Sequence, residues 1–263
     1  MKIISVINQK GGVGKTTTTI NLASALAISG KKVLMIDADP QANLTVSSGI
    51  TPDPKETDSL MDLIKEENEI GSYIFTNIFC KKDNLSLITS NIDLSTFDIK
   101  VAGLLNREYL LKKLFNRFKK YIKRYDYILI DCSPSLGLLT INALTASDYV
   151  LIPVKLDYLG LCGTSQLFST INNIQESTNK KLKVLGVLGT FYDNTKEAKD
   201  SLNKLEKACN YENIKLFDTY IRQNTKLKEA PKEGKDIFSY CKKCNGAIDY
   251  QNLSKEILKV LNV

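Results

Sequence analysis

Between the apolar run Ile3-Ile4-Ser5-Val6-Ile7 and a segment of helical periodicity lies Gln9-Lys10-Gly11-Gly12-Val13-Gly14-Lys15-Thr16-Thr17. Glycines at these places let successive backbone N–H groups turn inward on an anion at the start of a helix. Lys15 is placed to reach the β- and γ-phosphates of a nucleoside triphosphate, and the Thr16 hydroxyl suits a Mg²⁺ ligand. The stretch therefore predicts a phosphate-binding loop, with Gly11, Gly12, Val13, Gly14, Lys15, Thr16 and Thr17 around the phosphates. It departs from the strict pattern G-x-x-x-x-G-K-[ST], because Gln9 stands where the first glycine belongs. Lys10, just ahead of Gly11, reaches a partner's nucleotide from so short a loop more easily than its own.

These residues need a scaffold that brings them together. Strand-like runs at Lys2–Asn8, Lys32–Ile36, Leu85–Thr89, Tyr127–Ile130, Tyr149–Val154, Leu182–Gly189 and Ile214–Phe217 alternate with helical patterns at Lys15–Ser29, Glu108–Tyr125, Gly163–Glu176 and Lys196–Asn210. Such alternation predicts an α/β fold, a doubly wound and mostly parallel sheet flanked by helices, of the P-loop NTPase kind. Ligands of these sheets sit at the carboxyl ends of the strands. Gly11-Gly12, Asp37 with Asp39, and Asp131 each end a predicted strand, so they are expected to converge on one site. Gly30 is the expected C-cap of the first helix. Thr45–Tyr73, with Pro52, Pro54 and scattered acids, reads as an irregular excursion with a short helix near Leu60–Ile64. The Glu108–Tyr125 helix alternates Leu111, Leu114, Phe115, Phe118 and Ile122 with seven basic residues, as a sheet cover with a solvated basic face does.

Lys10-Gly11-Gly12-Val13-Gly14-Lys15-Thr16 resembles the deviant Walker A motif of the ParA/MinD superfamily. Asp37-Ala38-Asp39-Pro40-Gln41-Ala42-Asn43 is similar to the D-x-D-P-Q-x-N segment of ParA and Soj partition ATPases, and Ile128–Gly137 resembles their Walker B strand and the turn after it. The resemblance implies an ATPase with ATP and Mg²⁺ as cofactors, weak on its own and fully active only as an ATP-dependent homodimer. It implies that Lys15 contacts the β/γ-phosphates and Thr16 binds Mg²⁺ directly, with Asp131 holding the metal's water shell and Asp37 supporting the same sphere. It further implies that Asp39 orients the attacking water while Lys10 crosses the dimer to the partner's ATP. Thr190-Phe191-Tyr192-Asp193 resembles the segment near the adenine. Ile221–Pro231 looks like the family's I-P-R-N-V-R-L-S-E-A-P stretch, with Arg222, Gln223 and Lys226 in place of its proline and two arginines. Asn224 is the base-contacting candidate there, and Lys196, Arg222, Lys226, Lys228 and Lys232 are the DNA-binding candidates.

The 263 residues suffice for a single ATPase domain spanning the chain, and with the loop beginning at residue 9 no N-terminal helix-turn-helix domain is expected. DNA contact must then come from the ATPase domain itself. A net charge of +7, nearly all from lysine since Arg107, Arg117, Arg124 and Arg222 are the only arginines, suits diffuse phosphate attraction better than base reading. The function expected is partition of a plasmid or chromosome: an ATP-bound dimer holds double-stranded DNA nonspecifically until a ParB-type partner stimulates hydrolysis. A cytoplasmic, nucleoid-associated location follows, as the chain has no signal peptide or long uncharged apolar span. The alternative is a MinD-like membrane switch, for which Leu253, Ile257, Leu258 and Leu261 form an apolar stripe, but Asp39-Pro40-Gln41 favours the partition branch and no membrane partner is expected. An iron–sulfur ATPase would need Cys132 or the Cys241/Cys244 pair as ligands, and those two read instead as incidental surface thiols.

Overall fold

The computed structural model of the chain describes residues 1–55, 59–65, 79–82, 84–157 and 164–262. Among them, seven strands form one sheet: β1 (Lys2–Val6), β2 (Val33–Ala38), β3 (Phe79–Lys82), β4 (Leu85–Ile88), β5 (Tyr127–Cys132), β6 (Tyr149–Lys155) and β7 (Lys183–Thr190), in the order β3-β4-β2-β5-β1-β6-β7. All pairings are parallel except β3 with β4. The helices are α1 (Lys15–Ile28), α2 (Asn43–Ser47), α3 (Leu60–Lys65), α4 (Phe97–Lys100), α5 (Leu110–Arg117), α6 (Lys119–Ile122), α7 (Leu138–Ala146), α8 (Thr164–Ser177), α9 (Lys196–Tyr211), α10 (Thr225–Glu229), α11 (Ile237–Cys241) and α12 (Asn245–Val260). None of the described helices is long and apolar enough to cross a membrane.

The strands are continuous apolar runs because the sheet is covered on both faces. Successive side chains point to opposite sides. Ile3, Leu34, Ile36, Ile128 and Ile130 therefore join the core under α5, α7 and α8, while Ile4, Val6, Val33, Met35 and Leu129 join the core under α1 and α12. Gly30 adopts φ +83 and its N–H donates to the Ala27 carbonyl at 3.0 Å, closing α1 as expected. The apolar stripe of α12 is spent in this second core: Leu253 and Ile257 are fully buried and Leu261 nearly so.

Several elements differ from the sequence reading. Ile214–Phe217 does not form a sheet strand; it runs beside β7, bridging it at Val187 and Leu216, with the Val187 N–H donating to the Lys215 carbonyl and the Phe217 N–H to the Val187 carbonyl. Edge strand β3 carries no alternating pattern, which is why it escaped notice. The single helix expected over Glu108–Tyr125 is a 3-10 turn at Arg107–Tyr109 followed by α5 and α6, broken at Phe118. Phe118 and Ile122 still join the core beside Phe115, as their spacing predicts, but from two short helices instead of one. The short helix near Leu60–Ile64 is α3, whereas residues 56–58 and 66–73 of the predicted excursion, and Gly163 of the predicted Gly163–Glu176 helix, lie outside the described residues.

The Ile214–Phe217 run lies so close to β7 that a Cβ on Gly186 would sit 2.7 Å from the Phe217 ring and 2.9 Å from the Lys215 carbonyl. Gly186→Ala is expected to destabilise the protein by about 1–3 kcal/mol through overpacking. Urea unfolding should show a lower midpoint at unchanged slope.

Candidate functional site

The strand order assembles the site. β5 lies between β1 and β2, and the pairings Val6↔Asp131 and Asp37↔Asp131 bring three strand ends into register. The glycine-rich loop leaves β1 and enters α1 through Gly12 at φ +72 and Gly14 at φ +89, conformations that favour glycine. A Cβ at Gly11 or Gly12 would meet no atom within 4 Å, so both backbones face open space. Three side-chain bonds hold the loop: Asn8 Nδ2 donates to the Pro153 carbonyl (2.7 Å), the Lys10 N–H to Asn8 Oδ1 (2.9 Å), and Thr190 Oγ1 to the Val13 carbonyl (2.9 Å).

Lys15 is 8 % exposed and its Nζ donates to the Lys10 carbonyl at 3.2 Å. Burial pulls its pKa down, while the charges of Asp131 and Asp39 oppose that fall. Beneath it, Thr16 Oγ1 donates to Asp131 Oδ2 at 2.7 Å, and Thr19 Oγ1 donates to Oδ1 at 3.2 Å. Thr16 thereby commits its proton inward and keeps its lone pairs for a ligand above. Asp131 is nearly inaccessible; burial pushes its pKa up to about 8, with the neighbouring Asp37 charge adding to the rise and the Thr16 bond resisting it. Two buried carboxylates beside a cradle of backbone N–H groups suit a hard divalent cation and a polyphosphate.

Asp37 is completely buried and serves the chain itself. Its Oδ2 accepts both the N–H and the hydroxyl of Thr45 (2.8 and 2.7 Å), and its Oδ1 accepts the Asp39 N–H at 3.2 Å. Burial raises its pKa to about 6. It thus caps α2 and shapes the turn that presents Asp39, whose Oδ1 accepts the Gln41 N–H at 2.9 Å. Lys10 points to Asp157 of its own chain at 3.4 Å, and Lys155 reaches the other Asp157 oxygen at 2.7 Å.

Gly14, Thr17, Phe191, Asn224, Leu227 and Tyr250 line a pocket next to the glycine-rich loop, where the resemblance puts the base. Asn224 caps α10 by accepting the Lys226 N–H at 2.9 Å. Arg222, on the same wall, is committed to Asp249: its guanidinium Nη2 lies 2.6 Å from Oδ1 and its N–H donates to Oδ2 at 3.0 Å. That pairing sets a carboxylate against Arg222, as Glu229 is set against Lys226. Lys226 pairs with Glu229 at 2.8 Å on the exposed surface, Lys228 lines the base pocket, Lys232 belongs to the 3-10 turn Ala230–Glu233, and Lys196 begins α9 beside its Thr195 cap. Thr19, Thr45, Tyr250 and Asp157 were not foreseen, because nothing in their local sequence marks them; only the fold brings them here.

Among the described residues, Cys132 lies apart from the Cys241/Cys244 pair. Cys132 is buried with its thiol pushed up to about 12 by desolvation, on the sheet face opposite the half-buried Cys241 and Cys244, which pack against the α1 core instead of lying on the surface. Among the described residues no group of three or more cysteine or acidic side chains could hold a metal on its own.

A family model described as an AAA domain matches residues 1–184. The chain is 41 % identical to the sporulation initiation inhibitor protein Soj of Bacillus subtilis over 97 % of its length and 98 % of that protein's. It is 39 % identical to the chromosome-partitioning ATPase Soj of Treponema pallidum, over 98 % and 97 % respectively. A crystal structure of cobyrinic acid a,c-diamide synthase from Mycobacterium smegmatis with bound ADP and magnesium superposes with a TM-score of 0.82 at 32 % identity, covering all of this chain and 96 % of that one.

The raised Asp131 pKa has a sign that can be tested. The unfolded chain sheds this proton near the ordinary aspartate value of 3.8, whereas the folded chain holds it to about 8, so the group's stabilising contribution is lost as pH climbs through that window. Nucleotide-free Asp131→Asn protein in EDTA should therefore melt above wild type, by a gap that widens from pH 5 towards about pH 8. Added ATP and Mg²⁺ should reverse the order, because only wild type gains full binding stabilisation.

Proposed function

The chain belongs to the Soj/ParA family of partition ATPases, and from that premise we propose that its 263 residues work as one ATP-driven switch that holds DNA as a dimer and lets go on hydrolysis. ATP and Mg²⁺ are its cofactors. The observation that carries the reading is the register of β1, β5 and β2, which gathers Lys15, Thr16, Asp131 and Asp39 around one cradle beside a strongly basic segment.

In this mechanism the loop backbone and Lys15 grip the β- and γ-phosphates, and Thr16, oriented from below by Asp131, offers its lone pairs to the metal. Mg²⁺ supplies charge neutralisation on the β- and γ-oxygens when bound. Asp39 holds a water in line with the γ-phosphorus. As the new P–O bond forms, the bond to the β–γ bridging oxygen breaks, ADP carries away the electron pair, and the water's oxygen leaves on the phosphorus as inorganic phosphate, which keeps one of the water's protons and releases the other to solvent. Asp37 acts at one remove, by fixing the turn that aims Asp39. Lys10 must exchange Asp157 for the partner's nucleotide. Exposed ion pairs are worth only about 0–1 kcal/mol, so this exchange is thermodynamically easy.

The DNA surface is drawn from Lys196, Lys226, Lys228 and Lys232, which act as point charges on phosphates and read no bases. A ParB-type protein serves as the partner that stimulates release, and the protein works in the cytoplasm on the nucleoid. Against the MinD-like alternative stands the burial of Leu253, Ile257 and Leu261 against α1, which leaves the α12 stripe no free face for lipid.

Asp39→Ala is expected to bind ATP within a few-fold of wild type while phosphate release drops by about 100-fold or more. Lys10→Ala should also bind ATP, but lose the ATP-dependent dimer in sedimentation or its turnover by a similar factor. Normal sedimentation together with normal turnover would remove Lys10 from the mechanism.

Unrelated double-stranded DNA should shift in gels with ATP and not with ADP. Its affinity should fall steeply with salt, and Lys228→Ala or Lys232→Ala should each flatten the log–log salt slope by about 1. DNA binding that ignores both nucleotide and salt would overturn the proposal.

A further inference from the structure

Two glycines far apart in the chain meet backbone to backbone. Gly49, at φ +82, ends the turn after α2, and Gly234, at φ +60, ends the 3-10 turn Ala230–Glu233 within the basic segment. A Cβ on Gly234 would lie 2.5 Å from Gly49 Cα and 3.0 Å from Gly49 N, a clash with backbone that no side-chain rotation relieves. A Cβ on Gly49 would lie 3.4 Å from both Cα and O of Gly234.

Each glycine terminates a stiff unit that begins at the nucleotide site. From Asp39, the Ala42 N–H donates to the Asp39 carbonyl, the Val46 N–H to the Ala42 carbonyl and the Gly49 N–H to the Val46 carbonyl, each at 2.9 Å. Asp37 clamps the middle of this unit at Thr45. A displacement of Asp39 is therefore carried to Gly49. On the other side, the Lys235 N–H donates to the Ala230 carbonyl at 3.1 Å, and the Ile237 N–H donates to Asn21 Oδ1 at 2.7 Å, which fastens the basic segment to α1. The segment is thus pinned between the helix that begins at Lys15 and the turn that begins at Asp39.

We propose that the Gly49–Gly234 contact is the joint through which the nucleotide site positions the basic segment, so that triphosphate and diphosphate present Lys226, Lys228, Lys232 and Lys235 differently to a polyanion. Gly49 and Gly234 are positioning residues: they permit a backbone approach that a Cβ on Gly234 would hold apart. The inference rests on the reading that this segment binds DNA, yet the joint has its own readout.

The test compares the full chain bound to AMPPNP and to ADP, both with Mg²⁺, so that contacts to the base are shared and the γ-phosphate, with the dimer it brings, is what differs; sedimentation of each variant in AMPPNP checks that the dimer forms equally. Hydrogen exchange is read over residues 229–236, and affinity for unrelated double-stranded DNA is measured alongside. Gly234→Asn is the wedge, because asparagine tolerates positive φ while its Cβ still strikes Gly49. Gly30→Ala is the control for positive-φ strain, since a Cβ there would meet nothing within 4 Å.

Wild type and Gly30→Ala should exchange differently in the two nucleotides and should bind DNA at least about tenfold tighter with AMPPNP. Gly234→Asn should still bind both nucleotides, yet lose the exchange difference and most of the affinity ratio. If Gly234→Asn fails to fold, wild-type exchange over residues 42–50 is read beside that over 229–236: the joint requires both stretches to differ between the two nucleotides, and a difference confined to one of them overturns it. A nucleotide-bound variant that keeps the wild-type exchange difference overturns the joint, as does a wild type that shows none. An exchange difference present in wild type and lost in the wedge, with no DNA binding by either, would overturn the DNA reading and leave the joint standing.

Discussion

The bond from the Thr16 hydroxyl to Asp131 is the constraint on which the rest of the molecule depends. It joins the first turn of α1 to the end of the central strand β5, and it exists only because β5 sits between β1 and β2. A carboxylate there is costly, since burial raises its pKa to about 8 and the Asp37 charge lies on the adjacent strand. The fold tolerates the cost because Lys15 lies close above and hydroxyls of Thr16 and Thr19 contact both oxygens. A site so short of positive charge is held ready for a cation, and this electrostatic need makes the nucleotide-bound form the better satisfied one.

From that centre the two helical layers take separate tasks. The α5, α7 and α8 face closes a large apolar core and carries the solvated basic surface of α5 and α6. The α1 and α12 face carries contacts to the candidate site. There Asn21 ties α1 to Ile237, Tyr250 shares a hydrogen bond with Thr18 at 3.2 Å while lining the base pocket, and Asp249 holds Arg222. Leu253 and Ile257 of α12 pack into this core, and Cys132 lies on the face of the sheet opposite Cys241 and Cys244.

Single residues show why the sequence reading succeeded or stopped. Gly12 and Gly14 announce their positive φ by type, and Lys15 and Thr16 announce their chemistry by adjacency, so the loop was legible in full. Asp37 was marked by its place at a strand end, yet that place is equally good for capping α2, and only coordinates show both its oxygens engaged with Thr45 and Asp39. Arg222 carried a DNA-binding expectation on charge alone, because its partner Asp249 lies far along the chain. The break at Phe118 and the lone bridge at Leu216 escaped for the same reason, since tertiary packing overrode a local pattern.

The sequence by itself determined the alternation of strands and helices, the phosphate loop and the kinship with partition ATPases, because glycine conformation, side-chain charge and apolar periodicity are local properties. Tertiary structure alone decided which hydroxyl orients Thr16's carboxylate partner, which carboxylate Arg222 meets, and that Gly49 meets Gly234. Those depend on strand order and on backbone approach between distant segments, and no local pattern of residues encodes either distance.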